Sequence, residues 1–326
     1  MWQSLEEYMM TKLLMIREQM RKIYAAYGTY IKPILHFIVM LVSMIIINAN
    51  IGVMELLKNP AVIVVISLLG AFLSMKLITV LLALVIVAHM SAISIEIGAM
   101  VFLIILVMYL LFFRFTPRDG VVLILVPLLF FIKIPYVVPI AVGMVCTPFS
   151  VISVAFGVLI FFILNYVGTN LEVITTAAAT DGMGQMTKIA MEIFKSQGLY
   201  LTIIAFALVV LVVYFVKRLS IDYSWIIAVI TGGVLCIVVM LIGALSFDLK
   251  ETVSVLSIIV GGIISVILAL GIRFFIHSVD YSRTEYTQFE DDDFYYYVKA
   301  VPKIKVATPE VNVKRINARK VKTNRK

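Results

Sequence analysis

The sequence predicts an all-α, polytopic helical membrane protein on three observations: composition, the spacing of its apolar runs, and the lopsided placement of its basic residues. Of 326 residues, 63% are hydrophobic and 14% charged, and the mean hydropathy is +1.10. A soluble domain carries roughly 25% charged residues, so this chain lacks the polar surface that water demands. A hydrocarbon core about 30 Å thick takes roughly 20 apolar residues per helix. Apolar runs near 33–50, 61–75, 77–95, 97–113, 149–167, 199–216, 224–246 and 253–275 predict about eight transmembrane helices and leave little chain for a soluble catalytic domain. Small secreted, collagen-like and disordered classes are excluded by the same numbers.

Residues 1–30 come first and mix Glu6, Glu7 and Glu18 with Lys12, Arg17, Arg21 and Lys22, a pattern foreign to a removable signal peptide. Trp2, Leu5, Met9, Leu13, Ile16, Met20, Ile23 and Tyr27 recur at steps of three and four. That spacing predicts an amphipathic helix along the membrane surface, its stripe in the acyl boundary and its basic residues toward lipid phosphates; packing on the protein's own helices is the alternative. The transmembrane domain then covers 31–275 and a cytoplasmic tail 276–326.

Between the fourth and fifth runs, residues 121–147 carry Pro127, Pro135 and Pro139 around Lys133, with Pro148 just beyond. Proline removes a backbone donor, so the segment divides into two runs too short to cross: a re-entrant or short-span hairpin that enters and leaves on one side. With that hairpin, 22 of the 27 Lys and Arg fall on the side of both termini and four on the other, Lys133 lying between. Both termini are therefore expected in the cytoplasm. Irregular backbone at membrane depth is typical of transporter binding sites, and a buried lysine needs a partner or a purpose. Lys133, the carbonyls around Pro135 and Pro139, and Glu96 are the candidate substrate pathway, with Glu96 and Asp119 as possible partners for the lysine. The competing explanation makes Lys133 the tip of a tight hairpin, its ammonium reaching the interface.

His36, His89, Asn48, Asn50 and Asn165 are expected to make interhelical bonds or mark span ends. In the last run Ser257, Gly261, Ser265 and Ala269 put four small residues on one face, a packing seam within or between chains. The connection 168–198 predicts a short amphipathic helix built on Met186, Ile189, Ala190, Ile193 and Phe194, either a plain connector or a lid. There is no phosphate-binding Gly-Lys-Ser/Thr loop, no metal-ligand spacing among His36, His89, His277, Cys146 and Cys236, and no nucleophile–histidine arrangement. Neither enzyme activity nor a cofactor or metal is expected.

The tail divides by charge. Residues 280–298 are net −5 with interleaved Tyr and Phe, and 299–326 are net +9, so the other 298 residues of a +8 chain sum to −1. A largely disordered tail is expected, with Glu290, Asp291, Asp292, Asp293, Tyr295, Tyr296, Tyr297, Lys299 and Lys303 contacting membrane lipids or a partner, and no nucleic acid.

Three stretches, Arg114-Phe-Thr-Pro-Arg-Asp-Gly120, Lys133-Ile-Pro-Tyr-Val-Val-Pro139 and the sixteen residues from Gln288 to Lys303, resemble a poorly characterised group of multi-pass membrane proteins of Gram-positive anaerobic bacteria, often labelled ABC transporter permease. The resemblance implies a bacterial cell membrane protein, the permease-like subunit of a transport system with its ATPase on a separate chain. It carries over no binding residue. The alternative function is a membrane anchor or scaffold that recruits a cytoplasmic or cell-envelope protein through its tail.

Overall fold

The computed structural model describes residues 2–116, 119–178, 181–247, 254–276 and 285–300, without the side chains of 2–11, 21, 112 and 113. Leu, Ile, Val, Ala and Met fill nearly every run between the breaks, and residues that leave no room for water bonds must satisfy their backbone internally, as helix. The first helix, α1, is Trp2–Asn50, 49 residues with Pro33 inside. The expected surface helix and first crossing are thus one continuous element. Pro33 withholds one donor, but the flanking turns carry the helix through. Along its described part Leu13, Ile16, Met20, Ile23 and Tyr27 stay exposed, so this stripe is not buried by the protein's own helices. Arg17 departs from the expected lipid-facing set: it is 2% exposed, with its guanidinium 5.8 Å from the Phe274 ring.

A short turn, α2 (Glu55–Lys58), leads to α3 (Pro60–Phe72), which starts on an Asn59 cap with proline at its first position. The pair α4 (Met75–Ile93) and α5 (Ile95–Phe115) is joined by a single extended residue, Ser94. Next come α6 (Gly120–Phe131), α7 (Val137–Val145), a 3-10 turn at Pro148–Ser150 and α8 (Val151–Thr169). Two short helices, α9 (Leu171–Ala178) and α10 (Gly182–Lys195), precede α11 (Gln197–Val216), α12 (Ser224–Ser246) and α13 (Val255–Ile276). Among the described residues six helical stretches are long and apolar enough to cross a membrane: Lys22–Asn50, Met75–Ile93, Pro148–Thr169, Gln197–Val216, Ser224–Ser246 and Val255–Ile276. The chain is an all-α polytopic membrane protein in its helical part. Of the eight expected spans, 61–75 and 97–113 correspond to α3 and α5; α3 has 13 residues, about 20 Å of helix against a core of about 30 Å.

Close approaches fix how the helices run. Asp119 and Ser150 are bonded where α6 and α8 begin, and a methyl group on Gly157 of α8 would stand 2.5 Å from Val126 of α6, so the two helices are parallel. Gly143 of α7 abuts Val213 of α11, and Tyr136 meets Phe206 edge-on at 6.3 Å, so α7 runs parallel to α11. Gly233 touches Val266 and Gly262 touches Ile237, pairing α12 and α13 antiparallel. At the opposite end of the bundle the Met54 backbone N–H donates to His89 Nδ1 at 3.2 Å, holding the link before α3 on α4. The amphipathic α10 buries Ile189 and Ile193 as its stripe requires.

Residues 285–300 form an antiparallel hairpin, β1 (Glu285–Glu290) and β2 (Tyr295–Ala300), with Phe289 and Tyr296 paired and stacked at 4.9 Å. Lys303 lies outside the described residues.

Candidate functional site: a capped helix pair

The helices α6 and α7 are 12 and 9 residues long, about 18 and 14 Å at a rise of about 1.5 Å per residue. Both leave their outer ends at one end of the bundle, α6 beside Asp119 and α7 beside Lys217. Their join is a helix C-cap. Lys133 has φ 65°, its N–H donates to Phe130 O at 3.0 Å, and the Ile134 N–H donates to Leu129 O at 2.8 Å. This is the left-handed closing turn that satisfies the last carbonyls of a helix, a position that favours glycine. Lys133 is exposed, and its side chain takes part in none of the described hydrogen bonds or ion pairs.

The other expected pathway residues have different surroundings. Pro135 and Pro139 are buried. Pro139 is the third residue of α7, in a first turn whose donors have no intrahelical partner anyway, and Pro135 precedes the helix, its carbonyl accepting from Val138 N. Glu96 sits at the α4–α5 junction, accepts a short bond from the Ser94 hydroxyl and neighbours Gly182 of α10. Asp119 is engaged by Ser150 at 2.5 Å. Neither acid pairs with Lys133.

What the structure does bring together is a polar cluster where α5–α6, α7–α8 and α11–α12 are joined. Thr116 and Ser153 share a buried 2.7 Å hydroxyl–hydroxyl bond. The Lys217 ammonium donates to Gly143 O at 2.8 Å and Met144 O at 2.7 Å, closing the C-terminal turn of α7, and lies 4.7 Å from the Tyr214 ring and 5.6 Å from that of Trp225. A cation on the negative end of a helix contributes about 0.3 to 2 kcal/mol, most where it is partly buried. Burial, then the neighbouring Arg218 charge, pushes the Lys217 ammonium down to about 8. Three and five residues on, the same loop holds the tail: Lys299 donates to Ser220 O at 3.2 Å and Asp222 Oδ1 at 2.6 Å. The bond to Asp222 raises the Lys299 pKa.

In the hairpin, Asp291 is the organiser. Its Oδ1 accepts from Asp293 N at 3.0 Å and Phe294 N at 2.7 Å, and its Oδ2 accepts from the Tyr296 hydroxyl at 2.8 Å, contacts that lower its pKa. Glu290, Asp292, Asp293, Tyr295 and Tyr297 are exposed. On α13, Gly261 lies against Tyr136, and Ser265 and Ala269 are buried, while Ser257 is exposed. Lys217 escaped the sequence reading because its acceptors are more than seventy residues away; the available signal was a lysine closing an apolar run between Tyr214 and Trp225, the belt pattern of an interfacial anchor. No family model, curated protein or solved structure matches the chain.

Proposed function

We propose that the protein is the permease-like membrane subunit of a transport system of the bacterial cell membrane, with any ATP hydrolysis on a separate chain. The observation that carries this reading is the α6–α7 pair: two helices too short to cross, entering and leaving at one end and enclosed by α8, α11 and α13. Such broken elements are the common material of transporter sites, because they can move without unpairing a full span. In this reading eight elements cross, α1, α3 lengthened by the extended Leu73 and Ser74, α4, α5, α8, α11, α12 and α13, and the Lys217 end is cytoplasmic with both termini. The shared placement of Thr116, Asp119 and the 146–150 and 217–223 links supports that topology, as does the excess of basic residues in the sequence on that side. Lys133, Pro135 and Pro139 belong to the moving pair, and Glu96 to the opposite mouth.

Purification from the native membrane in mild detergent, followed by uptake assays in reconstituted vesicles, tests the proposal. A stoichiometric ATPase and substrate accumulation on ATP addition are expected. The second reading, an anchor or scaffold, draws on the hairpin, whose Phe294, Tyr295 and Tyr297 are at least 65% exposed. An envelope-assembly protein retained only when residues 280–326 are present, with no ATPase, would replace the first reading by the second.

A further inference from the structure

Beside α6, the helices α1, α4, α5 and α8 leave a partly open cavity of about 50 Å³. Its wall is aliphatic and aromatic: Ile47, Leu82, Ile86, Ile105, Leu164 and Phe131 are representative. The three hydroxyls in the wall are already committed, Ser43 to Val39 O and Thr79 to Lys76 O, both at 2.6 Å, and Tyr109 to Thr79. A ligand here gains by burying hydrocarbon. On the other side of the α4–α5 pair lies a second, larger space of about 210 Å³, a groove lined by Leu84, Phe102 and Leu106, side chains that are 42–52% exposed. Ala83, Ile105 and Tyr109 line both spaces. They form a thin partition, and Ala83 is its smallest member.

Size and direction select the ligand. An engineered cavity of about 150 Å³ accepts benzene, so a space one third as large admits no ring, only the end of a chain whose bulk lies elsewhere. The groove supplies that elsewhere. In α4 the cavity wall runs from Thr79 to Ile86, about 10 Å along the helix axis, the direction in which acyl chains lie in a bilayer. We propose that groove and cavity together are a binding site for one hydrocarbon chain, the acyl chain of a bilayer lipid, which enters sideways between α4 and α5 and passes its end beyond Ala83. The site stands whether or not the protein transports anything.

The full chain in nanodiscs containing phosphatidylglycerol with a photoactivatable diazirine at the end of one acyl chain gives the test, with labelled peptides mapped by mass spectrometry. Labelling is expected to concentrate on cavity residues such as Ile86 and Leu164 above the level on the exposed face of α13 at Ile263 and Ile267. Ala83→Trp closes the partition and is expected to lower cavity labelling about tenfold, the effect of excluding roughly two methylene groups, with α13 labelling unchanged. Should that variant fail to fold, a lipid with its diazirine near the carboxyl end, used on the unaltered protein, is expected to label the groove residues Leu84 and Leu106 and spare the cavity. Equal labelling of the cavity and α13, absence of cavity labelling, or cavity labelling that ignores both Ala83→Trp and probe position would overturn the site. Cavity labelling by a free diazirine fatty acid but not by the phospholipid would overturn the bilayer lipid as the source of the chain.

Discussion

Two halves of the bundle are built differently. Around α7, α11, α12 and α13 the helices meet through glycines: Gly143 against Val213, Gly232 against Val213, Gly233 against Val266, Gly261 against Tyr136. Around α1, α4, α5, α6 and α8 glycines also make close approaches, Gly157 to Val126 and Gly168 to Asn50, yet an apolar cavity remains between the helices. Lipid tails are as apolar as leucine, so inside a bilayer helices associate by close packing rather than by expulsion of water. Packing around α7, α11, α12 and α13 is therefore expected to be the harder of the two to disturb. The looser half can exchange one set of apolar contacts for another at little cost, which suits the side that meets a ligand.

The largest expected effect breaks that contrast directly. A methyl group at Gly143 would stand 2.8 Å from Val213 Cβ and 2.9 Å from the Val210 carbonyl, so Gly143→Leu should destabilise by about 3 kcal/mol or more, read as a lowered melting temperature in detergent. Ala83→Leu, which grows into the cavity, should stay within about 1 kcal/mol of the unaltered protein. Equal losses at the two positions would erase the distinction between the halves. Next in size is the cap on α7: Lys217→Met should cost about 1 to 2 kcal/mol, with Lys217→Arg recovering part of it.

Smaller tests sharpen the role of the join and the loop. Lys133 occupies a left-handed turn, so Lys133→Gly should stabilise by up to about 1 kcal/mol, and a clear loss of uptake without loss of stability would assign the lysine to substrate. Asp222→Ala should change global stability by less than about 1 kcal/mol, because the pair is exposed, yet should speed hydrogen exchange across 285–300. The Lys217 amine should react with an acylating probe with a midpoint near pH 8, against 10.5 for an ordinary lysine. Since its folded pKa is depressed, the unfolded chain holds the extra proton between those two values, and this group's contribution to stability rises with pH across that window.

The spans α8, α11, α12 and α13 were legible because each is one long apolar run bounded by charge or a turn residue, and α10 because its stripe at Met186, Ile189 and Ile193 has helical spacing. The continuity of α1 was hidden by Pro33, whose local cost is outweighed by the helix formers on either side. At the tail, the charge density of Asp291–Asp293 masked a strand–turn–strand pattern in which Tyr, Phe, Thr and Val favour extended backbone and Asp291 closes the turn. The site was half legible: prolines mark where α6 and α7 divide, but their partner Lys217 is set by tertiary packing alone.

The unbroken α1 has a mechanical consequence. A 49-residue helix is a rod about 73 Å long, pinned near one end where Asn50 meets Gly168 of α8 and along its other half where Arg17 rests on Phe274 of α13. A force applied to the amphipathic arm, by lipid curvature or by a docked protein, is delivered as leverage on the first span, and Pro33 is the natural fulcrum.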